Sequence, residues 1–278
     1  MQSLPGSAAG SIREFKRDNV LLAVIGGSGL SRLDSLTSVS SATYRTPFAD
    51  SEVEILNGFL EGYPVAFLPR HGAQHHLPPH RINYRANLWA LKEHGVNDIV
   101  AVNAVGGINP QLSPGTLAIP DQLIDYTYGR DHTFYEENLE EVVHIDFTHP
   151  YSKRLRHLLV IAVEQEQLEM DEDENKLPLT RGVYGCVQGP RLETAAEINR
   201  LRRDGCDMVG MTGMPEAALA RELGLQYACL ALSVNRAAGL EEMPITMEAI
   251  NNTLSRGIIE VKNILQVFVR LYRERTEI

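Results

Sequence analysis

Four short segments of the chain set residues suited to binding an oxyanion at the ends of apolar runs. GGSGL (26–30) follows LLAVIGG, and a glycine-rich turn after a strand exposes backbone N–H groups to an anion, with Ser28 adding a hydroxyl. It fits neither GxGxxG nor GxxxxGK[ST], which disfavours dinucleotide binding. LPRHGAQHHLPPH (68–80) holds four of the nine histidines. His71, His75, His76 and His80 have spacings that a transition metal could use, while Arg70 and His71 could instead bind an anion, a guanidinium fork beside a donating imidazole. With no Cys, Asp or Glu in the cluster, the anion reading is favoured. VNAVGGINP (102–110) offers Asn103 and Ala104 as side-chain and backbone donors, and MVGMTGMPEAA (208–218) puts the Thr212 hydroxyl just ahead of a helix start. Each segment alone has a plainer reading as a tight turn, a strand corner or a helix entry. Together they make phosphate the expected reactant, because none carries a general-base pair or a Ser-His-Asp set. The group it attacks must then be held by the remaining polar strand ends, Gln188 to Glu193 and Asn235.

The elements that carry these corners alternate in type. NVLLAVIGG, YPVAFLPRHG, DIVAVNAVGG, TLAIPDQLIDY, TRGVYGCVQG and LALSVN read as strands, and RINYRANLWALKEHG and SKRLRHLLVIAVEQEQL as helices. That alternation predicts an α/β domain whose main sheet has helices on both faces. Ile82, Leu88, Trp89 and Leu91 recur at near-helical spacing, with Gly95 closing that helix. Ile198 and Leu201 mark the buried face of ETAAEINRLRRDG, and Pro215 falls in the first turn of PEAALARELG. EQEQLEMDEDENKLP (164–178) reads as a solvated connection, and the last stretch from Ile245 as one long amphipathic helix or two.

The 278 residues, 44% hydrophobic and 22% charged, suit one large domain. A net charge of -10 argues against nucleic acid and against an anionic membrane surface. The longest apolar runs are strand-sized, far short of the roughly 20 residues that span a bilayer. Cys186, Cys206 and Cys229 form no CxxC pair and too sparse a set for a disulfide framework, which points to a reducing cytoplasm. Residues 1–18 lack a signal-peptide core and read as a flexible extension ahead of a domain spanning 19–278.

Taken in order, IGGSGL, PRHG, NAVGGINP, QGPRLETAAE, MVGMTGMPEAALA and the strand ending SVN resemble the trimeric purine nucleoside phosphorylase and methylthioadenosine phosphorylase family across roughly residues 20–270. The resemblance implies a single domain with a mixed β-sheet flanked by helices. It implies cleavage of a purine N-glycosidic bond by inorganic phosphate as co-substrate, with no metal and no organic cofactor, in a cytoplasmic homotrimer. Phosphate would be held by Ser28, Arg70, His71, Asn103, Ala104 and Thr212, with Met211 against the ribose. His71, Glu193 and Asn235 would be the catalytic set, and Leu192, Arg236 and Ala237 would complete the base site.

Within that family the adenine-specific members carry aspartates where this chain has Asn235 and Ala237. An asparagine can donate to ring nitrogen 7 and the exocyclic oxygen of a 6-oxopurine, and Glu193 can accept from the neighbouring ring N–H. The histidine that bonds the sugar 5′-hydroxyl in ordinary members has no counterpart, since no histidine follows His157. Ile245, Met247 or Ile250 would face the 5′ position instead, an apolar lining suited to a methylthio group. His144 matches a position that reaches the neighbouring subunit's 5′ pocket. The expected nucleoside is S-methyl-5′-thioinosine, with inosine or guanosine and then methylthioadenosine as alternatives. A metal-dependent hydrolase and a nucleotide-binding module without turnover are the readings outside this class.

Overall fold

The computed structural model describes residues 22–137, 139–168 and 176–276; the proposed N-terminal extension and part of the acidic connection lie outside them. Ten strands form one mixed sheet. They are β1 (Leu22–Gly26), β2 (Thr37–Thr46), β3 (Ala49–Leu60), β4 (Tyr63–Pro69), β5 (Asp98–Gly107), β6 (Leu117–Ala118), β7 (Gln122–Asp125), β8 (Val183–Cys186), β9 (Met208–Gly210) and β10 (Gln226–Arg236). The order is β2-β3-β4-β1-β5-β9-β8-β7, and β10 pairs with both β5 and β6. At its centre β4, β1, β5 and β10 run parallel. All five residues of β1 are buried, as are nine of the ten in β5, which is why these strands read as continuous apolar runs rather than alternating ones.

Helices cover both faces. α1 (Tyr84–Glu93) and α4 (Glu216–Glu222) pack on one side, contributing Leu88, Trp89, Leu91, Ala217 and Leu219 to a core with Ile25, Ile99 and Cys229. α2 (Lys153–Leu168) and α5 (Met247–Thr276) pack on the other, where Leu155, Leu159, Val261, Leu265 and Phe268 meet Val24, Val100 and Leu230. α3 (Ala195–Arg203) sits over a smaller cluster in which Ile198 and Leu201 touch the region of Val209 and Ala237. Its start is a full capping box: Thr194 accepts from Glu197 N, and the Glu197 carboxylate accepts from Thr194 N.

Several local expectations shift. Pro215 stands at the N-cap of α4 instead of inside its first turn, and His94 is the C-cap of α1 with Gly95 just beyond at φ +95°. TLAIPDQLIDY breaks at Pro120 into two short strands, because proline has no N–H to continue a ladder. The chain's last stretch is a single 30-residue helix. The β2–β3 hairpin was not read as strands: β2 is an edge strand of mostly exposed Ser and Thr, with no apolar alternation to mark it.

Candidate active site

The Ser28 and Arg70 corners stand at the carboxyl ends of the parallel strands β1 and β4, the place where open α/β sheets bind ligands; Asn103 and Ala104 lie within β5 just past the end of β1, and Thr212 follows β9, which runs antiparallel to β5. β1 ends in a tight turn closed by Leu30 N donating to Gly27 O at 3.0 Å, with Gly29 at φ +78°. Only a glycine fits at Gly27. A Cβ there would lie 2.4 Å from Val102 O and 2.8 Å from Nη1 of Arg70. The Ser28 turn therefore rests directly on the arginine and on β5.

Arg70 leaves β4 with its backbone N–H on Gly26 O, and its side chain is 1% exposed. Its fork is occupied, contrary to the expectation that it closes on phosphate. Nε donates to Glu216 Oε2 at 2.7 Å and Nη2 to Glu216 Oε1 at 2.8 Å, while Nη1 donates to Val102 O at 2.9 Å. The second Nη2 hydrogen reaches Asn103 Oδ1 at 3.3 Å, so one Nη1 N–H remains for a ligand. Glu216, 0% exposed on α4, is a partner of Arg70 that sequence reasoning missed, because nothing local distinguishes it from an ordinary first-turn acid. Tyr227 Oη also donates to it, at 2.8 Å.

Asn103 passes the network on. Its Nδ2 donates to Thr212 Oγ1 at 2.8 Å, which makes the threonine an acceptor there and leaves its hydroxyl hydrogen to donate elsewhere. Val102 O faces Arg70, and the two-residue period of a strand aims Ala104 N–H the same way, past the end of β1. Ala104 is the one β5 residue that is not fully buried. Ser28, Arg70, Asn103, Ala104 and Thr212 thus border one space.

His71 is buried at the same corner, and its Nδ1 lies 2.8 Å from Leu77 O. A carbonyl only accepts, so Nδ1 carries the proton and Nε2 of the neutral ring is an acceptor, not the donor anticipated. Burial, with Arg70 and His75 nearby, pushes its pKa down to about 4. The His75 ring leans on His71 at 4.5 Å between centroids. No group of three or more His, Cys, Asp or Glu among the described residues could hold a metal ion.

The base-side residues sit next to this corner. The ladder between β10 and β5 slips between Ser233 and Asn235, and a bulge of this kind re-aims the side chain that follows it. The Asn235 amide lies over Gly106, with Nδ2 3.4 Å from where a Cβ would stand, and donates to Arg236 O at 2.7 Å. Ala237 is buried alongside. Met211 packs into the space above Gly189, where a Cβ would meet its Sδ at 2.4 Å. Glu193, its carboxyl pushed up by burial, lines a cavity with Tyr126, Tyr128, Gln188 and Leu201. Leu192 is 40% exposed at the rim. Glu193 and Asn235 make no direct hydrogen bond; their segments adjoin where Gly239 meets Ala195.

Three other predicted residues lie as follows in the single chain. Arg236 donates from Nη1 and Nη2 to the carbonyls of Ile108, Asn109 and Leu112, clamping the loop after β5. Met247 is 63% exposed at the first position of α5, whereas Ile250 is buried and Ile245 packs on the core. His144 is exposed on the irregular segment between β7 and α2.

The description of the family model that matches residues 21–270 is the phosphorylase superfamily. The chain is 55% identical over 240 residues to the probable S-methyl-5′-thioinosine phosphorylase of Pseudomonas syringae pv. tomato, covering 86% of this chain and 94% of that one. It is 42% identical to the 6-oxopurine nucleoside phosphorylase of Pyrococcus furiosus, covering 91% and 94%. Among solved structures, methylthioadenosine phosphorylase from Schistosoma mansoni in complex with adenine superposes with a TM-score of 0.84 at 31% identity, covering 92% of each chain.

Proposed function

The chain belongs to the phosphorylase superfamily, and from that premise we propose that it catalyses phosphorolysis of a 6-oxopurine nucleoside. The substrate proposed is S-methyl-5′-thioinosine, giving hypoxanthine and 5-methylthioribose 1-phosphate. The observation that carries the base assignment is Asn235, re-aimed by the β10 bulge with Ala237 buried beside it, where adenine-reading members of the family carry carboxylates. The names of relatives 55% and 51% identical to the chain support the same substrate.

The mechanism follows from charge. As the glycosidic bond stretches, the sugar becomes cationic and the purine anionic. Phosphate held by the Ser28 turn, the free Nη1 of Arg70, Ala104 N–H and Thr212 faces the sugar carbon, stabilises the cation and attacks it. The Asn235 Nδ2 hydrogen that is not on Arg236 O donates between ring nitrogen 7 and the exocyclic oxygen, where negative charge collects on the leaving base. Glu193 accepts from the adjacent ring N–H. An adenine would set an amino group against the Asn235 donor, and a mismatch of that kind in a buried site is heavily penalised. Neither a metal nor an organic cofactor takes part.

The methylthio end is supported by the absence of any histidine after His157 and by apolar Leu254, which covers the Ser28 turn: a Cβ on Gly29 would meet it at 2.7 Å. A homotrimer is part of the proposal. Tyr128 and Val142, exposed at 73% and 72%, share the segment of His144, an apolar surface that a second copy would cover while bringing its own His144 to the open 5′ side. No helix among the described residues is long and apolar enough to cross a membrane, and three free buried cysteines fit a reducing cytosol.

The test compares phosphate-dependent base release from methylthioinosine, inosine and methylthioadenosine, with sedimentation to give the assembly. Methylthioinosine is expected to have the highest kcat/KM; a large advantage for inosine would defeat the 5′ assignment, and one for methylthioadenosine would defeat the base assignment.

A further inference from the structure

Arg130, in the segment between β7 and α2, is buried and has no carboxylate partner among the described residues. Its guanidinium instead gathers backbone from two loops of the site. Nη2 donates to Gln188 O at 2.8 Å and Val187 O at 3.3 Å, and Nη1 to Met214 O at 2.6 Å and Met211 O at 2.9 Å. The loop before Glu193 and the loop carrying Met211 and Thr212 are thereby held by one group.

The remaining donor sets a side chain. Arg130 Nε donates to Gln188 Oε1 at 3.1 Å, and Tyr128 N donates to the same oxygen at 3.2 Å. Both partners can only donate, so turning the amide over would oppose its NH2 to two N–H groups. The oxygen end is fixed, and Nε2 is left pointing the other way. Gln188 lines the same cavity as Glu193, and no protein acceptor among the described residues takes its Nε2 hydrogens.

We propose that Gln188 is a further specificity-determining residue, its Nε2 N–H donating to the exocyclic oxygen of the 6-oxopurine while Glu193 accepts from the adjacent ring N–H, and that Arg130 is the positioning residue that fixes this orientation. The carbonyl oxygen has two acceptor directions. Asn235 takes the one on the ring-nitrogen-7 side and Gln188 the one on the N–H side. An amino group in that place would meet donors from both. This inference rests on the 6-oxopurine reading above.

Gln188→Glu separates the two. The substitution keeps the shape, lets a carboxylate pair with Arg130 so that the loop stays in place, and removes the N–H donor. The measurement is kcat/KM for phosphorolysis of methylthioinosine and of methylthioadenosine in wild type and variant, with thermal melting as the folding control. The ratio of the two is expected to fall about 100-fold, as for loss of one preorganised donor, with KM for phosphate unchanged. An oxopurine-preferring wild type whose ratio does not move in a folded Gln188→Glu overturns the role of Gln188 alone. A wild type that prefers methylthioadenosine overturns the base reading itself, and this inference with it. Should Gln188→Glu not fold, Gln188→Met removes the donor without adding charge, and its ratio should fall about tenfold. Arg130→Lys cannot hold both loops from one ammonium, so it should lower the same ratio while raising nucleoside KM more than it lowers kcat. An unchanged ratio there removes Arg130 from the scheme.

Discussion

Arg70 and Glu216 meet as a two-point fork buried in the centre of the molecule, Nε to Oε2 at 2.7 Å and Nη2 to Oε1 at 2.8 Å, with neither side chain reaching solvent. Burial alone would lower the guanidinium's pKa, but the carboxylate beside it more than reverses this and holds Arg70 charged. The cation is thus neutralised before any anion arrives. In the mechanism proposed above, phosphate is then recognised by one Nη1 N–H and its neighbouring donors, not by a free positive charge.

Glu216→Gln should then weaken phosphate binding even though it removes a nearby negative charge. The fork loses one of its two carboxylate oxygens, and Arg70 is free to leave the Gly27 turn. KM for phosphate should rise about tenfold, and stability should fall by about 3–5 kcal/mol, the usual cost of stranding one partner of a buried pair. Phosphate titration of the initial rate and denaturant melts read the two effects. A lower phosphate KM would mean that the freed guanidinium closes on phosphate instead.

His71 predicts an acid limit. Its pKa is about 4 in the folded chain, held down first by burial and then by the neighbouring Arg70 and His75, against an ordinary value near 6.5. Between those pH values the unfolded chain binds a proton that the native site refuses. Stability from this residue is therefore complete above about pH 6.5 and is lost as pH falls toward 4, up to about 3 kcal/mol. Denaturant melts at pH 7 and pH 5 should show the drop in wild type and a smaller one in His71→Asn. An imidazole titrating near 6.5 by NMR would refute the assignment.

Strand ends were legible in the sequence, and their partners were not. Ser28, Thr212 and Asn235 stand where apolar runs stop, Asn103 is the polar residue inside one, and a run buried on both faces is a local signal. Glu216 lies 146 residues from Arg70, and Arg130 reaches Gln188 across 58; each reads in sequence as a common surface charge. The contacts of Arg236 are hidden in the same way, because the carbonyls it clamps belong to residues more than a hundred positions away. Met247 and His144, the residues expected on the 5′ side, are both exposed, and no local signal in the sequence shows what would cover them.

Asn235→Asp should shift the base preference. The bulge at Ser233–Asn235 is a backbone feature that survives the change, so the side chain keeps its place over Gly106. A carboxylate there accepts from an amino group and repels a carbonyl oxygen. The kcat/KM for methylthioinosine should drop about 100-fold or more, with methylthioadenosine gaining relative to it. Paired assays of the two nucleosides decide it; an unaltered ratio would remove Asn235 as the reader of the base.

Gly27→Ala should damage phosphate binding without replacing any side chain assigned to the site. The added methyl would sit 2.4 Å from Val102 O, a backbone atom of the central strand that cannot yield, and 2.8 Å from Arg70 Nη1. Relief must come from the Ser28 turn lifting away or from Arg70 withdrawing the one N–H it has to offer. Either displaces donors from the same anion, and misplacement by about 1 Å costs on the order of 100-fold in rate. The expected result is a large rise in phosphate KM with a smaller change in nucleoside KM, measured by varying each substrate at saturation of the other. An equal loss for both substrates would mean that the turn supports the whole fold, not the anion site in particular.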